Sequence, residues 1–179
     1  MDNTFLPAGE KAPEGNYMRF KEGENTFRVL SSAVTGYEYW NKDNKPVRLK
    51  KQPTSTPADI RIEGDKPISI KYFWAFVVYN YKAEKKQILE ITQSSLQNAI
   101  RALCENAKWG DPKGYDITVG RAGSGLETEY TLMPSPHSAF PVDLIGVENI
   151  NLEALFSGND PFSGKVAGKD EIDPDKIPF

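Results

Sequence analysis

Aromatic and basic side chains crowd together in two stretches of this chain of 179 residues. Tyr37, Tyr39 and Trp40 stand immediately before a segment, 42–51, with five basic residues (Lys42, Lys45, Arg48, Lys50, Lys51) and one acid, Asp43. Further on, Tyr72, Trp74 and Phe76 fall on one face of a strand by its two-residue period, and Phe73, Tyr79 and Tyr81 fall on the other. Lys71 and Lys82 flank that strand, and Lys85 and Lys86 crown the turn after it. An aromatic ring can stack on any nucleobase, for about 1–3 kcal/mol per base, without reading its identity. Lysine and arginine neutralise phosphates and release counterions. The combination points to single-stranded nucleic acid. Some of these rings must instead fill a core, because one face of each strand packs inward.

Other chemistries are poorly supplied. Cys104 is the only cysteine and His137 the only histidine. An intramolecular disulfide is impossible, a four-ligand zinc site is not expected, and no Cys–His catalytic pair is credible. Asp111, Asp116, Glu127 and Glu129 could hold Mg²⁺ as in a nuclease, but acids alternating along a hairpin read as a solvated face. Gly120–Gly125 lacks the Gly-Lys-Ser/Thr ending of a phosphate loop and opens no helix. His137 reads as a surface loop residue. The expectation is a protein with no catalytic residues, no cofactor and no metal.

The formal net charge is −3, unpromising for a nucleic-acid binder until its distribution is considered. The last ten residues carry Asp170, Glu171, Asp173 and Asp175 against Lys176. The chain thus separates a basic region from an acidic end. The N-terminus has no basic segment followed by an apolar run, and no stretch approaches about 18 apolar residues. A cytoplasmic protein that does not enter membranes is expected.

These side chains need a scaffold. Residues 1–20 read as a loose arm, 21–157 as one domain and 158–179 as a flexible acidic tail. Strand formers dominate 25–40, with Gly36 suggesting a bend or bulge. The Pro- and Lys-rich stretch 41–66 reads as a long mobile loop. Strands follow at 68–81 and 86–92. Then Leu96, Ile100, Leu103, Cys104 and Ala107 adopt helical spacing over 94–109. Ser94 and Gln97 fit a capping box, and Gly110 and Pro112 stop the helix. Strands at 115–121 and 128–133 are joined by the glycine-containing loop 122–125. A short helix at 152–156 follows Asn151 as its cap, and disorder is expected from Ser157 on. The order predicts a mainly β fold: a five-stranded OB-type Greek-key barrel with one helix between strands 3 and 4 and a disordered acidic C-terminal tail, although other small barrels and sandwiches with one helix give the same order. OB-type barrels present an open face and flexible loops to oligonucleotides.

Two segments resemble a known family. The tail, with Asp170, Glu171, Asp173 and Asp175 leading to Ile177-Pro178-Phe179, resembles the partner-docking tip of bacterial single-stranded DNA-binding proteins. The resemblance implies that the terminal Phe and its carboxylate enter a basic, apolar pocket on replication or recombination proteins. Lys176 departs from the pattern, where the family usually has an acid. The stretch Tyr115–Pro134, with Arg121-Ala-Gly-Ser-Gly-Leu126 joining two strands, resembles the last hairpin of bacteriophage single-stranded DNA-binding proteins. Trp74–Tyr81 and Ile88–Gln93 are similar to the same phage proteins.

The expected function is sequence-independent binding and protection of single-stranded DNA in phage replication and recombination, in the cytoplasm of the infected host. The expected DNA contacts are Tyr37, Tyr39, Trp40, Lys45, Arg48, Lys50, Lys51, Lys71, Tyr72, Trp74, Tyr79, Tyr81, Lys82 and Arg121. The expected partner-docking residues are Asp173, Asp175, Ile177, Pro178 and Phe179. The alternatives are an OB-type protein-interaction adaptor that binds no nucleic acid, and a metal-dependent nuclease.

Overall fold

The structure, a computed structural model, describes residues 15–145 and 149–162. Its backbone is mainly β and its centre is one long strand, β7 (Lys71–Asn80), whose sequence KYFWAFVVYN is rich in β-branched and aromatic residues. One edge of β7 pairs antiparallel with β8 (Lys85–Ile91), from Trp74↔Ile91 to Asn80↔Lys85. The Asn80 side chain accepts from Lys82 N in the turn, and Glu84 N donates to Asn80 O.

The other edge of β7 is shared by two strands. Its C-terminal residues pair with β2 (Gly23–Val29) and its N-terminal half with β3 (Val34–Trp40). Between them the chain bends, and Ser31 Oγ accepts from Val77 N at 2.9 Å to mend the ladder at the break. The long bent strand expected from 25–40 is therefore two strands in line. Beyond β2 lie β9 (Asp116–Ala122) and β10 (Glu129–Pro134), both antiparallel. The expected loose arm contributes β1 (Tyr17–Met18), which pairs in parallel with β8. The main path through the sheet is β1-β8-β7-β2-β9-β10. β1 and β10 lie at its two ends, so the large mixed sheet stays open.

The expected loop 41–66 holds more structure than its composition suggests. Its β4 (Pro46–Leu49) folds back on β3, from Tyr37↔Leu49 to Trp40↔Pro46. β5 (Ile62–Glu63) and β6 (Lys66–Pro67) form a small hairpin. Asn41 and Ile60 make an isolated bridge, and Arg61 N donates to Trp40 O. Backbone pairing, invisible to composition, decides this segment.

The helix α1 (Ser94–Glu105) follows β8 and packs Leu96 and Ile100 into the main core with Phe27, Val29, Phe76, Val78, Leu89, Ile91, Ile117 and Val119. The capping box does not form: Gln93 is the N-cap and no side chain caps the helix. Gln97 turns inward instead. Its Nε2 donates to Ile91 O at 2.9 Å and Tyr72 O at 3.1 Å, pinning the helix start to β7. The helix also ends four residues short of expectation. Asn106 is extended, its side chain accepts from Lys108 N, and Gly110 takes φ +63°.

A second cluster lies on the opposite side of β7, where Phe73, Ala75 and Ile88 meet Leu155. It is closed by residues 149–162, including α2 (Ala154–Ser157), which begins two residues later than expected. Asn151 Oδ1 accepts from Glu153 N in the turn before the helix, but the N-cap is Glu153 and no side chain caps α2, so the expected Asn151 cap does not form. Residues 158–162, expected to be disordered, are placed: Pro161 is buried and Phe162 meets Tyr17 edge-on at 6.3 Å. Gly36 makes room for this cover. A Cβ there would lie 2.5 Å from Leu49 O and 2.8 Å from a Phe156 ring carbon.

Candidate nucleic-acid interface

Alternation along β3 and β7 sorts the expected contacts onto two faces. On the face that continues from the main core, Tyr37 is in register with Tyr72, and Thr35 with Trp74. The Tyr37 and Tyr72 rings lie 5.3 Å apart at 53°. Tyr72 is 39 % exposed, whereas Trp74 is half-buried with its inner side against the core. Here the chain leaves a groove of about 370 Å³, with Thr35, Tyr72, Trp74 and Phe76 along the strands and Arg101 and Lys113 opposite them. The Arg101 guanidinium sits 5.3 Å from the Trp74 ring, and it also bonds Asn98 Oδ1. Lys113 pairs with Asp111 at 3.1 Å. Its backbone N–H, donated to Asp111 Oδ1, holds the Asp111 carboxyl below its usual range. The groove thus joins three aromatic rings, the hydroxyls of Ser31, Ser32 and Thr35, and two cations beside Asp111.

The other face is largely filled. Tyr79 is buried against Tyr81 and Phe140. Tyr81 donates its hydroxyl to Asp116 Oδ1 at 2.8 Å, and Arg28 Nε donates to the same atom. Burial pushes the Tyr81 hydroxyl up to about 12, and the bond to Asp116 adds to the shift. Asp116, weighed as a nuclease ligand, is committed to this network. Arg48 bridges Glu90 (3.0 Å) and Glu38 (3.2 Å) with only 12 % of its side chain exposed. Its distance from solvent removes it from phosphate contact. Tyr39, on the Tyr37 side of β3 by alternation, is buried as well, and its hydroxyl donates to Asp59 Oδ1 at 2.7 Å.

The remaining expected contacts lie around the rim. Trp40, Lys45, Lys50, Lys51, Lys71 and Lys82 are all exposed. Lys50 reaches Glu153 at 2.7 Å and lies 5.2 Å from the Phe156 ring. Arg121, on β9, donates from Nη1 to Phe20 O, far from the groove in the strand order. The expected docking residues Asp173, Asp175, Ile177, Pro178 and Phe179 lie outside the described residues. Sequence reasoning missed Thr35, Arg101 and Lys113. Arg101 had a signal: it follows Ile100 on an amphipathic helix, at the border of the buried face. Lys113 had none, because only tertiary packing brings the turn at 112–114 to the groove.

His137 is more than a loop residue. Its ring stacks on Trp109 at 5.7 Å and 18°, and Nε2 donates to Trp109 O at 2.8 Å. Among the described residues, no group of three or more His, Cys, Asp or Glu side chains is placed to hold a metal ion, and no helix is long and apolar enough to cross a membrane. No protein-family model, curated protein or solved structure matches the chain.

Proposed function

We propose that this protein binds single-stranded DNA, laying bases on the Tyr37–Tyr72–Trp74 surface while cations around the groove and on the 42–51 segment meet the phosphates. The observation that carries this reading is the exposed Tyr72 ring, paired with the half-buried Tyr37, beside Trp74 and Arg101. Aromatic rings at a groove with cations alongside suit a flexible polyanion whose bases are free to stack. An enzyme would need a nucleophile or a carboxylate pair at the groove. Cys104 lines the groove, but burial pushes its thiol up, away from the reactive thiolate, and Asp111 is bound up with Lys113.

The scaffold in this proposal is an OB-type barrel, partly open. β2 with β3 serves as its first bent strand, β7 and β8 as the second and third, and β9 and β10 as the last two, with α1 between the third and fourth. The element order and the antiparallel pairings support it. The acidic tail then recruits replication or recombination proteins through Ile177-Pro178-Phe179, as its resemblance implies. The setting is a phage-encoded protein in the host cytoplasm.

Titrating the full chain with oligo(dT), oligo(U) and duplex DNA at two salt concentrations, followed by tryptophan fluorescence, tests the reading. Saturable, salt-weakened binding of oligo(dT) in preference to duplex is expected. Absence of binding to any strand at low salt would leave the interaction-adaptor reading in its place.

A further inference from the structure

The turn that borders the Tyr72 groove carries its charges in a fixed pattern. Asp111 precedes the single turn Pro112–Gly114, and its Oδ1 accepts from Lys113 N at 2.9 Å. Pro112 opens that turn with its φ already set. The Lys113 ammonium folds back onto the other oxygen, with Nζ 3.1 Å from Asp111 Oδ2. Three polar atoms therefore stand in a row, Oδ1, Oδ2 and Nζ, and they read acceptor, acceptor, donor.

The row has capacity to spare and is open to a ligand. The cap and the ammonium use two of the roughly four lone-pair sites of a carboxylate, so each oxygen can accept once more. The Asp111 side chain is 62 % exposed and that of Lys113 41 %. Both residues line the groove of about 370 Å³ that Tyr72 and Trp74 share. A base seated there against the rings turns an edge to the row, the way unstacked bases are commonly read. Guanine alone among the four DNA bases matches all three atoms. Its amino group and its ring N1–H are adjacent donors, and O6 follows as an acceptor. Thymine reproduces two contacts, N–H to Oδ2 and a carbonyl to Nζ, but sets its second carbonyl against Oδ1. Cytosine and adenine place an unprotonated ring nitrogen beside their amino group, so neither offers two adjacent donors.

We infer that this groove seats one base of the bound strand and prefers guanine, with Asp111 Oδ1 accepting from the amino group, Oδ2 accepting from N1–H and Lys113 Nζ donating to O6. The rings stack any base, and the turn adds a preference at one position of an otherwise indifferent surface. This inference rests on the single-strand reading above.

The test titrates the full chain with three end-labelled strands of equal length, followed by fluorescence anisotropy in a lithium buffer, where guanines do not assemble into quadruplexes. One strand is oligo(dT), the second alternates thymine with guanine, and the third alternates thymine with hypoxanthine. Hypoxanthine is guanine without the amino group, so it keeps the stacking area, N1–H and O6 and lacks only the contact to Oδ1. One hydrogen bond to a charged group supplies at least about fivefold, and every second register seats a guanine, so the guanine strand should bind about threefold more tightly than the hypoxanthine strand. Asp111→Asn keeps the cap through its own carbonyl and puts an amide donor in place of Oδ2, so it should bring that ratio close to one. The same variant should bind oligo(dT) more tightly, because no carboxylate then faces thymine's carbonyls or the phosphates, whereas a merely structural Asp111 would weaken every strand when replaced. Equal binding of the guanine and hypoxanthine strands by the wild type, or a ratio that persists in the folded variant, would overturn the guanine site. Failure to bind any of the three strands would overturn the single-strand reading itself, a different result from equal binding.

Discussion

The two faces of β7 carry similar side chains and end in opposite environments. Phe73, on one face, is fully buried, and Tyr72, its neighbour on the other, is 39 % exposed. The difference comes from chain that is distant in sequence. Residues 149–162 lay Leu155 and Phe156 over Phe73, with ring centroids 5.9 Å apart. Among the described residues nothing comparable crosses Tyr72, and α1 lines only the rim of the groove with Ile100, Arg101 and Cys104. An aromatic residue in a strand therefore says little about whether it packs or binds until its cover is known. Here one face is a second core, and the other keeps its rings available.

The sharpest way to break that contrast is to truncate Phe73. Phe73→Ala should cost about 3–5 kcal/mol of stability by denaturant unfolding, the usual loss for a buried Phe. A loss below about 1 kcal/mol would mean that 149–162 is not a true cover. Strand binding by whatever fraction remains folded should be nearly normal.

Tyr72→Ala should do the reverse. Its affinity for oligo(dT) should fall by about 1–3 kcal/mol, with stability changed by less than about 1 kcal/mol because the ring is already partly in water. Fluorescence titration alongside a urea melt checks both halves. Intact affinity in the folded variant would remove the Tyr37–Tyr72 pair from the interface. Trp74→Ala is the less clean probe, since half of that ring is core.

How much of this was legible in the sequence depends on the range of the interaction. The alternation of β7, the change to helical spacing at α1 and the β9–β10 hairpin are local patterns, and they were readable. The division of Tyr72 and Trp74 from Phe73 and Tyr79 followed from period two alone. Arg48 and Tyr39 were misplaced among the DNA contacts because their partners, Glu90 and Asp59, come from elsewhere in the chain. Composition marked 41–66 as loop, but β4 exists because β3 offers it an edge. Likewise the cover at 149–162 has a bland sequence whose apolar residues make sense only against Phe73 and Ile88.

Removing positive charge tests the rim more gently. Each phosphate contact adds about 0.7 to the salt slope for single strands. Lys50→Gln with Lys51→Gln should flatten the slope of log affinity against log salt by about one unit if both reach the strand. Lys50 must first leave Glu153, an exposed pair that contributes little. An unchanged slope would place the phosphate path on the Arg101 and Lys113 side of the groove alone.

The smallest expected effect concerns acidity beneath the filled face. Burial pushes the Glu38 carboxyl up from 4.5 to about 7. Glu90 contributes to that rise, and Arg48 and then Lys71 oppose it. A carboxyl raised in the folded state holds its proton more tightly there than in the unfolded chain. The stability this gives is complete below about pH 4.5 and is lost as pH rises through 7. Glu38→Gln cannot titrate, so its melting temperature should fall less between pH 5 and pH 8 than that of the wild type. The difference should be a few degrees, since a chain of this size moves about 2–4 °C per kcal/mol. Identical slopes in the two proteins would mean that Arg48 keeps Glu38 ionised at both ends of the range. The filled face would then hold a permanently charged triad of Arg48 with Glu38 and Glu90.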